Sequence, residues 1–244
     1  MRTVFKAQHP LFGRANSRLP LAKQQASPYY WWWAFLRRNQ RYLACCELGG
    51  TGDLAALYAD FGDVRGDDFR VWWNAHGQAL FREQPPTYLL REVADKSEWD
   101  DSWTRDTVLV VAVPLAMPKS HIGKFFTRLL KSRHGGKRGK KALSDKGAST
   151  ARYPLNRNVT VDTLKVQLAV YDAIKANETA EKKQTLAQIG ISLRVQPHNI
   201  PLPKDTPATA TDKRNQLAAT VSRYYKQATK IVEATAGGVF PANY

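Results

Sequence analysis

The sequence predicts a mainly helical α+β fold, with a small sheet in the N-terminal part and an all-α, helix-turn-helix-like C-terminal domain. Apolar residues recur at helical spacing over 29–47 and 161–177, which indicates amphipathic helices. Two short apolar runs, 88–93 and 107–113, are typical of buried strands. A hydrophobic content of 43% excludes a wholly disordered chain, because it supplies ample apolar surface for a core.

Three helices are expected before the first strand. The first covers 29–47 and ends at Gly49 and Gly50, since glycine favours helix termination. The second covers 53–58 and is short, and a glycine-containing turn separates it from the third helix over 67–81. Two consecutive prolines then stop the third helix.

A basic helix and a linker are expected after the two strands. Pro118 marks the start of this helix, which reaches about Ser132. Over 133–152, glycines alternate with lysines and small polar residues. That composition is typical of a flexible linker.

The C-terminal third is predicted to be all helical. An amphipathic helix over 161–177 precedes a shorter helix over 185–193 and a proline-rich loop. A long final helix begins near Asp212, a residue type suited to cap a helix N-terminus, and runs to about Ala236.

These elements divide the chain into four predicted parts. A basic arm with little regular structure covers 1–27, and a Trp-rich α+β domain covers 28–132. The basic Gly/Lys linker at 133–152 then leads to the helical, helix-turn-helix-like domain at 153–244.

The formal net charge of +16 indicates a polyanionic partner, of which nucleic acid is the first candidate. The positive charge is concentrated in 119–152, which holds eleven Lys and Arg residues and a single Asp. We expect these side chains to neutralise phosphates and to make binding strongly dependent on salt. The alternative is a solubilising linker beside a solvated helix face. The residues expected to contact phosphate are Lys137, Arg138, Lys140, Lys141, Arg37, Arg38 and Arg41.

Two segments near the C-terminus resemble the helices of a helix-turn-helix. Residues 185–193 resemble the first helix, and 219–226 resemble a recognition helix with Ser222, Arg223 and Lys226 on a polar patch suited to base edges and phosphates. The interval between the two segments is long and proline-rich, whereas a standard motif has a turn of a few residues. A plain three-helix bundle is therefore the alternative.

The run Tyr29–Trp33 contains five consecutive aromatic residues. Consecutive helical residues are about 100° apart, so these rings cannot all face one side of a helix. Packing against neighbouring elements is the expected role, and base stacking beside the nearby arginines is the alternative.

The segment that follows carries the one family resemblance in the chain. Trp33-Ala34-Phe35-Leu36-Arg37-Arg38-Asn39, with Tyr42, resembles the Trp-x-Phe-Leu-Arg-Arg-Asn-x-x-Tyr segment of proteobacterial transcriptional-regulator-like proteins found on integrative mobile elements. The resemblance covers about a dozen residues. It implies a regulatory role linked to DNA and assigns no catalytic residue.

Carboxylates are concentrated between Asp60 and Asp68. If Asp60, Asp63 and Asp67 converged, they could hold Mg²⁺ and cleave phosphodiesters, so a metal-dependent nuclease is one alternative function. The favoured interpretation is structural, with Asp63 or Asp67 capping the next helix and Arg65 pairing with a carboxylate.

The remaining sequence features narrow the class of protein. Cys45 and Cys46 fit neither a disulfide framework nor the spacing of a zinc site, and no run of about 18 apolar residues predicts a membrane span. We therefore expect a cytoplasmic, non-enzymatic DNA-binding protein, a transcriptional regulator or accessory factor of a bacterial mobile element, with no cofactor and no membrane partner. RNA binding or structural assembly is a further alternative, and homodimer formation is left open.

Overall fold

The computed structural model describes residues 4–14, 16–83, 92–98, 108–133, 149–157 and 160–242. The chain forms two units, and we refer to Met1–Gln84 with Ser149–Tyr244 as the main unit and to Pro85–Ala148 as the inserted unit. The described residues are mainly helical, with a small antiparallel sheet near the N-terminus.

The main unit contains the sheet and nine α-helices among its described residues. Strand β1 is Gly13–Arg14 and β2 is Ser17–Arg18, with Gly13 opposite Arg18. The helices are α1 (Leu21–Gln25), α2 (Pro28–Leu36), α3 (Gln40–Glu47), α4 (Ala55–Phe61), α5 (Phe69–Trp72), α6 (Gln78–Phe81), α8 (Val161–Thr179), α9 (Leu186–Ser192) and α10 (Pro207–Thr235). A π-helical turn, Trp73–Gly77, joins α5 to α6, and a 3-10 turn, Pro197–Asn199, lies between α9 and α10.

The inserted unit contains α7 (Lys119–Arg133) and a 3-10 turn at Lys96–Glu98 among its described residues. The predicted strand at 107–113 is wrong over its described part, because 108–113 forms no strand. Most of the other predicted strand, 88–93, lies outside the described residues, and 92–93 forms no strand. Among the described residues, the sheet is instead the β1–β2 pair.

The described residues of the N-terminal segment, 4–14 and 16–27, are anchored to the core through Phe5 and Phe12, which corrects the prediction of a loose arm. The Phe5 ring lies 5.6 Å from that of Trp73, and the Phe12 ring lies 5.8 Å from that of Phe69. Pro10 is buried, and Phe5 forms an isolated β-bridge with Arg82. A few apolar residues without periodicity are enough to hold this segment, so a periodicity argument cannot detect it.

Helix α2 lies at the centre of the main unit. The Ser27 side chain caps it by accepting from the Tyr29 N–H, and every residue of Trp31–Leu36 is buried. A helix that is apolar all round has to be surrounded by protein. The predicted single helix at 29–47 is two helices, because Asn39 caps α3 by accepting from the Tyr42 N–H and donates its own amide to the Val232 carbonyl at 2.6 Å.

The core around α2 is built from both ends of the chain. The Trp32 and Phe240 rings stack at 5.3 Å, and Leu164 and Ile231 belong to the same buried cluster. The predicted separation of a Trp-rich domain at 28–132 from a helical domain at 153–244 therefore differs from the observed division. The aromatic surface of α2 needs cover on every side, and α8 and α10 supply part of it.

The helices α8, α9 and α10 pack around a second, smaller core of Val170, Ile189, Val195 and Val221. Thr185 and Gln188 form a reciprocal capping box at the start of α9. Helix α10 begins at Pro207 with Thr206 as its cap, so the predicted start near Asp212 is about one turn late.

The residues of the main unit that precede and follow the inserted unit in sequence are hydrogen-bonded to each other. The Glu83 carboxylate accepts from the Ser149 hydroxyl, from the Thr150 N–H at 2.7 Å and from the Thr150 hydroxyl at 2.8 Å. Burial alone would raise the pKa of Glu83, but these hydrogen bonds outweigh it and lower the pKa below its ordinary value. The last residues of the predicted linker are therefore part of the main unit.

We expect Phe240→Ala to lower the free energy of unfolding by about 3–5 kcal/mol, because it removes a fully buried ring from the core around Trp32. The adjacent Val239 is 42% exposed, so Val239→Ala is the matched control and should change stability by less than about 0.5 kcal/mol. Urea denaturation of both variants measures the difference. Equal effects would contradict the placement of Phe240 in the core.

We expect Glu83→Gln to destabilise the protein at neutral pH, since a neutral amide accepts more weakly from Ser149 and Thr150. The pKa of Glu83 is lower in the folded state than in the unfolded state. The ionised carboxylate therefore stabilises the fold at pH values above its unfolded-state pKa, and this stabilisation is lost as the pH falls through its folded-state pKa. Thermal denaturation at a series of pH values from neutral to acidic should show that the difference in melting temperature between wild type and variant becomes smaller as the pH falls. The exposed Glu181→Gln is the control, and a gap that widens toward acid would refute this assignment.

Candidate nucleic-acid interface

A row of three cations lies on the exposed side of α10. Arg223, Lys226 and Lys230 follow one another at i, i+3 and i+7, and all three are exposed. Helical geometry places them within about 60° of one another around the axis and over about 10 Å along it. We call these three residues the α10 stripe. Within the described part of the chain, none of them forms an ion pair.

The α10 stripe is held in position by the opposite side of the same helix. Leu217, Val221 and Ile231 are fully buried on the inner face of α10. Helix α9 approaches closely because Gly190 has no Cβ, which would otherwise lie 3.1 Å from the Val221 side chain. Gly190 therefore permits the close packing of α9 on α10, and the exposed face of α10 is fixed by two buried clusters.

The three predicted recognition residues have different environments. Arg223 and Lys226 are exposed, and the Arg223 guanidinium lies 5.6 Å from the centre of the Tyr224 ring. Ser222 is half-buried and lies on the flank of the stripe. Lys230 was missed in the sequence analysis, although its spacing of seven from Arg223 is the signal that would have found it.

The arrangement departs from a standard helix-turn-helix. Residues 193–206 connect α9 to α10 and include a 3-10 turn, whereas the motif has a turn of three or four residues. The stripe begins at Arg223, well inside a helix that starts at Pro207. In a helix-turn-helix the N-terminal residues of the second helix contact the bases. Contacts from this stripe would therefore come from the middle of the helix.

A second basic surface lies on α7 of the inserted unit. Lys124, Arg128 and Lys131 are exposed and share one side of the helix, within about 60° of one another. No Asp or Glu occurs between 108 and 133. The predicted phosphate ligands Lys137, Arg138, Lys140 and Lys141 lie outside the described residues.

The three arginines near α2 that were predicted to contact phosphate have two kinds of environment. Arg37 bonds to Asp67 at 2.5 Å, and Arg38 forms a two-point ion pair with Asp172 at 2.7 and 3.1 Å. Both guanidiniums therefore already have partners within the protein, and we leave them out of the candidate interface. Arg41 is exposed and forms no ion pair among the described residues.

Four of the five rings in the aromatic run of α2 have almost no surface available for base stacking, and Tyr30 is half-buried. Trp31, Trp32 and Trp33 are at most 5% exposed, and Tyr29 is 2% exposed. These rings fill the core, which confirms the packing interpretation and overturns the stacking alternative for them.

The three carboxylates of the nuclease hypothesis have separate partners. Asp60 forms an ion pair with Arg152 at 2.7 Å and accepts a hydrogen bond from the Tyr153 hydroxyl at 2.6 Å. Burial and this hydrogen bond raise the pKa of Tyr153 to about 12. Asp63 pairs with Arg65, whose hydrogen bonds lower the pKa of that carboxyl. No group of three His, Cys, Asp or Glu side chains within the described ranges could hold a metal ion. The convergence of Asp60, Asp63 and Asp67 that the nuclease alternative requires is therefore absent among the described residues, and the favoured structural interpretation stands.

The turn that these carboxylates belong to has a structural role. Asp68, rather than Asp63 or Asp67, caps α5 by accepting from the N–H groups of Arg70 and Val71. Pairing of Arg65 with a carboxylate is confirmed.

No family model, curated protein or solved structure matches this chain. The resemblance carried by residues 33–42 therefore stays a prediction. Across the described residues, no helix is long and apolar enough to cross a membrane.

The Arg38–Asp172 pair gives a test of the internal role assigned to Arg38. We expect Arg38→Ala and Asp172→Ala each to destabilise the protein, with a coupling free energy of about 0.5–1 kcal/mol because the pair is only partly buried. A double-mutant cycle by chemical denaturation measures this coupling. Strictly additive effects, together with loss of DNA affinity in Arg38→Ala alone, would instead favour a phosphate-binding role.

Proposed function

We propose that this protein binds duplex DNA and that the α10 stripe is its principal contact. The observation that carries the proposal is a row of three exposed cations, without ion-pair partners in the described part of the chain, on a helix fixed by two buried clusters. The net charge of +16 supports a polyanionic partner. A regulatory or accessory role on a bacterial mobile element is proposed on the resemblance of residues 33–42 alone.

The chemistry of the stripe suits a DNA groove and its walls. An arginine can donate two hydrogen bonds to the O6 and N7 atoms of guanine, and lysines bind phosphate as point charges. Arg223 is therefore the proposed base contact, and Lys226 and Lys230 the proposed phosphate contacts. The exposed Lys124, Arg128 and Lys131 of α7 would add further phosphate contacts from the inserted unit.

Duplex DNA is favoured over single-stranded RNA because of where the aromatic residues lie. Single-strand binding surfaces combine basic grooves with exposed aromatic rings on which bases stack. Here Trp31–Trp33 are buried in the core, and Tyr224, beside Arg223, is only partly exposed. RNA binding is the second outcome that the experiment below distinguishes.

We expect the triple variant Arg223→Ala, Lys226→Ala, Lys230→Ala to lose most of its affinity for a duplex of about 20 base pairs. Each phosphate contact removed reduces the magnitude of the negative slope of log K against log salt by about 0.9, so the loss of the Lys226 and Lys230 contacts should reduce that magnitude by about 2 units. Gel-shift or anisotropy titrations of the full chain at several salt concentrations measure both quantities.

The matched control is Arg14→Ala, Lys23→Ala, Arg18→Ala, which removes the same charge from exposed positions outside α10. This control should retain most of the affinity and most of the salt slope. Equal losses in the two triple variants would show that net charge alone drives binding. A preference for single-stranded RNA over duplex DNA in competition would replace the proposal with the RNA-binding alternative.

A further inference from the structure

An apolar groove lies in the inserted unit, between residues 111–117 and α7. Its volume is about 290 Å³, and its lining is almost entirely apolar. The residues that define it are Val111, Val113, Met117, Ile122, Phe126 and Leu129.

Apolar side chains around this groove remain in contact with water. Of the residues that line the groove, Phe125 is 55% exposed and Val113 is 43% exposed, and Leu115 of the neighbouring chain segment is 91% exposed. Single exposed apolar residues are ordinary, but a cluster around a groove is typical of a binding surface. Burying such side chains against a partner would be favourable, because it removes apolar surface from water.

Cations lie at both ends of this apolar side of α7. From the helical repeat, Lys119 and Arg133 lie within about 60° of Ile122 around the axis and about 21 Å apart along it. Both are exposed. Since no acidic residue occurs between 108 and 133, the groove presents an apolar centre with a positive charge at each end.

We infer that this groove binds an acidic amphipathic helix of another protein. Such a helix would place apolar residues at i, i+3 or i+4, and i+7 in the groove, and carboxylates near Lys119 and Arg133. Its charge pattern is complementary to that of α7, which steers association and fixes the register of the bound helix.

The charges also argue against the two other occupants of such a groove. If a second copy packed its own α7 here, Lys119 would meet either Lys119 or Arg133 of that copy, and like charges would repel in both orientations. An anionic lipid surface is better matched by an amphipathic helix with an open, convex apolar face, whereas this apolar side forms a groove with 111–117.

This inference is independent of DNA binding. Lys124 and Lys131 lie on the opposite side of α7, at about 180–200° from Ile122, whereas the Arg128 guanidinium lies 5.7 Å from the centre of the Phe125 ring, which lines the groove. A partner in the groove would therefore leave the phosphate-binding candidates Lys124 and Lys131 accessible. Failure of one proposal does not imply failure of the other, because the two use different faces and different probes.

The test is an anisotropy titration of the full chain with a labelled peptide of about 15 residues, the length of α7. The peptide is designed as an amphipathic helix with leucines on one side and glutamates near both ends. A second peptide has the same leucines with lysines in place of the glutamates. We expect the acidic peptide to bind at least about tenfold more tightly than the basic one.

Two charge-reversed variants separate the groove from general electrostatics. Lys119→Glu with Arg133→Glu should weaken binding of the acidic peptide by at least about tenfold. Lys124→Glu with Lys131→Glu makes the same change in net charge on the opposite face and should keep the affinity within about threefold. Phe125→Ser changes an exposed groove residue and should weaken binding while circular dichroism stays unchanged.

Several results would overturn the inference. Equal weakening by the two charge-reversed variants would show that binding is general electrostatic attraction. Binding of anionic phosphatidylserine vesicles without binding of the peptide would assign the groove to a membrane surface. A dimer in sedimentation equilibrium that Phe125→Ser dissociates would assign it to a second copy of the chain.

Discussion

The structure depends above all on the burial of α2. Its nine residues include Tyr29, three consecutive tryptophans and Phe35, and almost all of them are buried. An apolar surface that extends around the whole helix cannot be covered by one neighbour. The N-terminal segment packs on it through Phe5, while α8 and α10 and the Phe240 ring close it from the C-terminal half.

This constraint also shapes the candidate interface. Helix α10 buries Ile231 and Val232 in the core around α2, and it buries Val221 in the second core with α9. Since the inner face of the helix is occupied along most of its length, its outer face has a fixed orientation. The stripe of Arg223, Lys226 and Lys230 therefore lies on a rigid support, which a groove-reading surface requires.

Local patterns in the sequence predicted local features well. The apolar spacing at 161–177 corresponds closely to α8. Arg223 and Lys226 were found by the same local spacing, which also leads to Lys230. The break between α2 and α3 was missed because Asn39 is held by the Val232 carbonyl, 193 residues away. Likewise, Asp67 and Asp172 occupy Arg37 and Arg38, and no spacing rule connects such distant residues.

The most direct test of the central claim is lysine footprinting of the full chain with and without a saturating DNA duplex. Amine-reactive acetylation, read by mass spectrometry, reports each lysine separately in one sample. The account predicts that DNA protects Lys226 and Lys230, while the exposed Lys165 and Lys204 remain as reactive as in the free protein. Unchanged reactivity of Lys226 and Lys230 in a DNA complex that protects other lysines would contradict it.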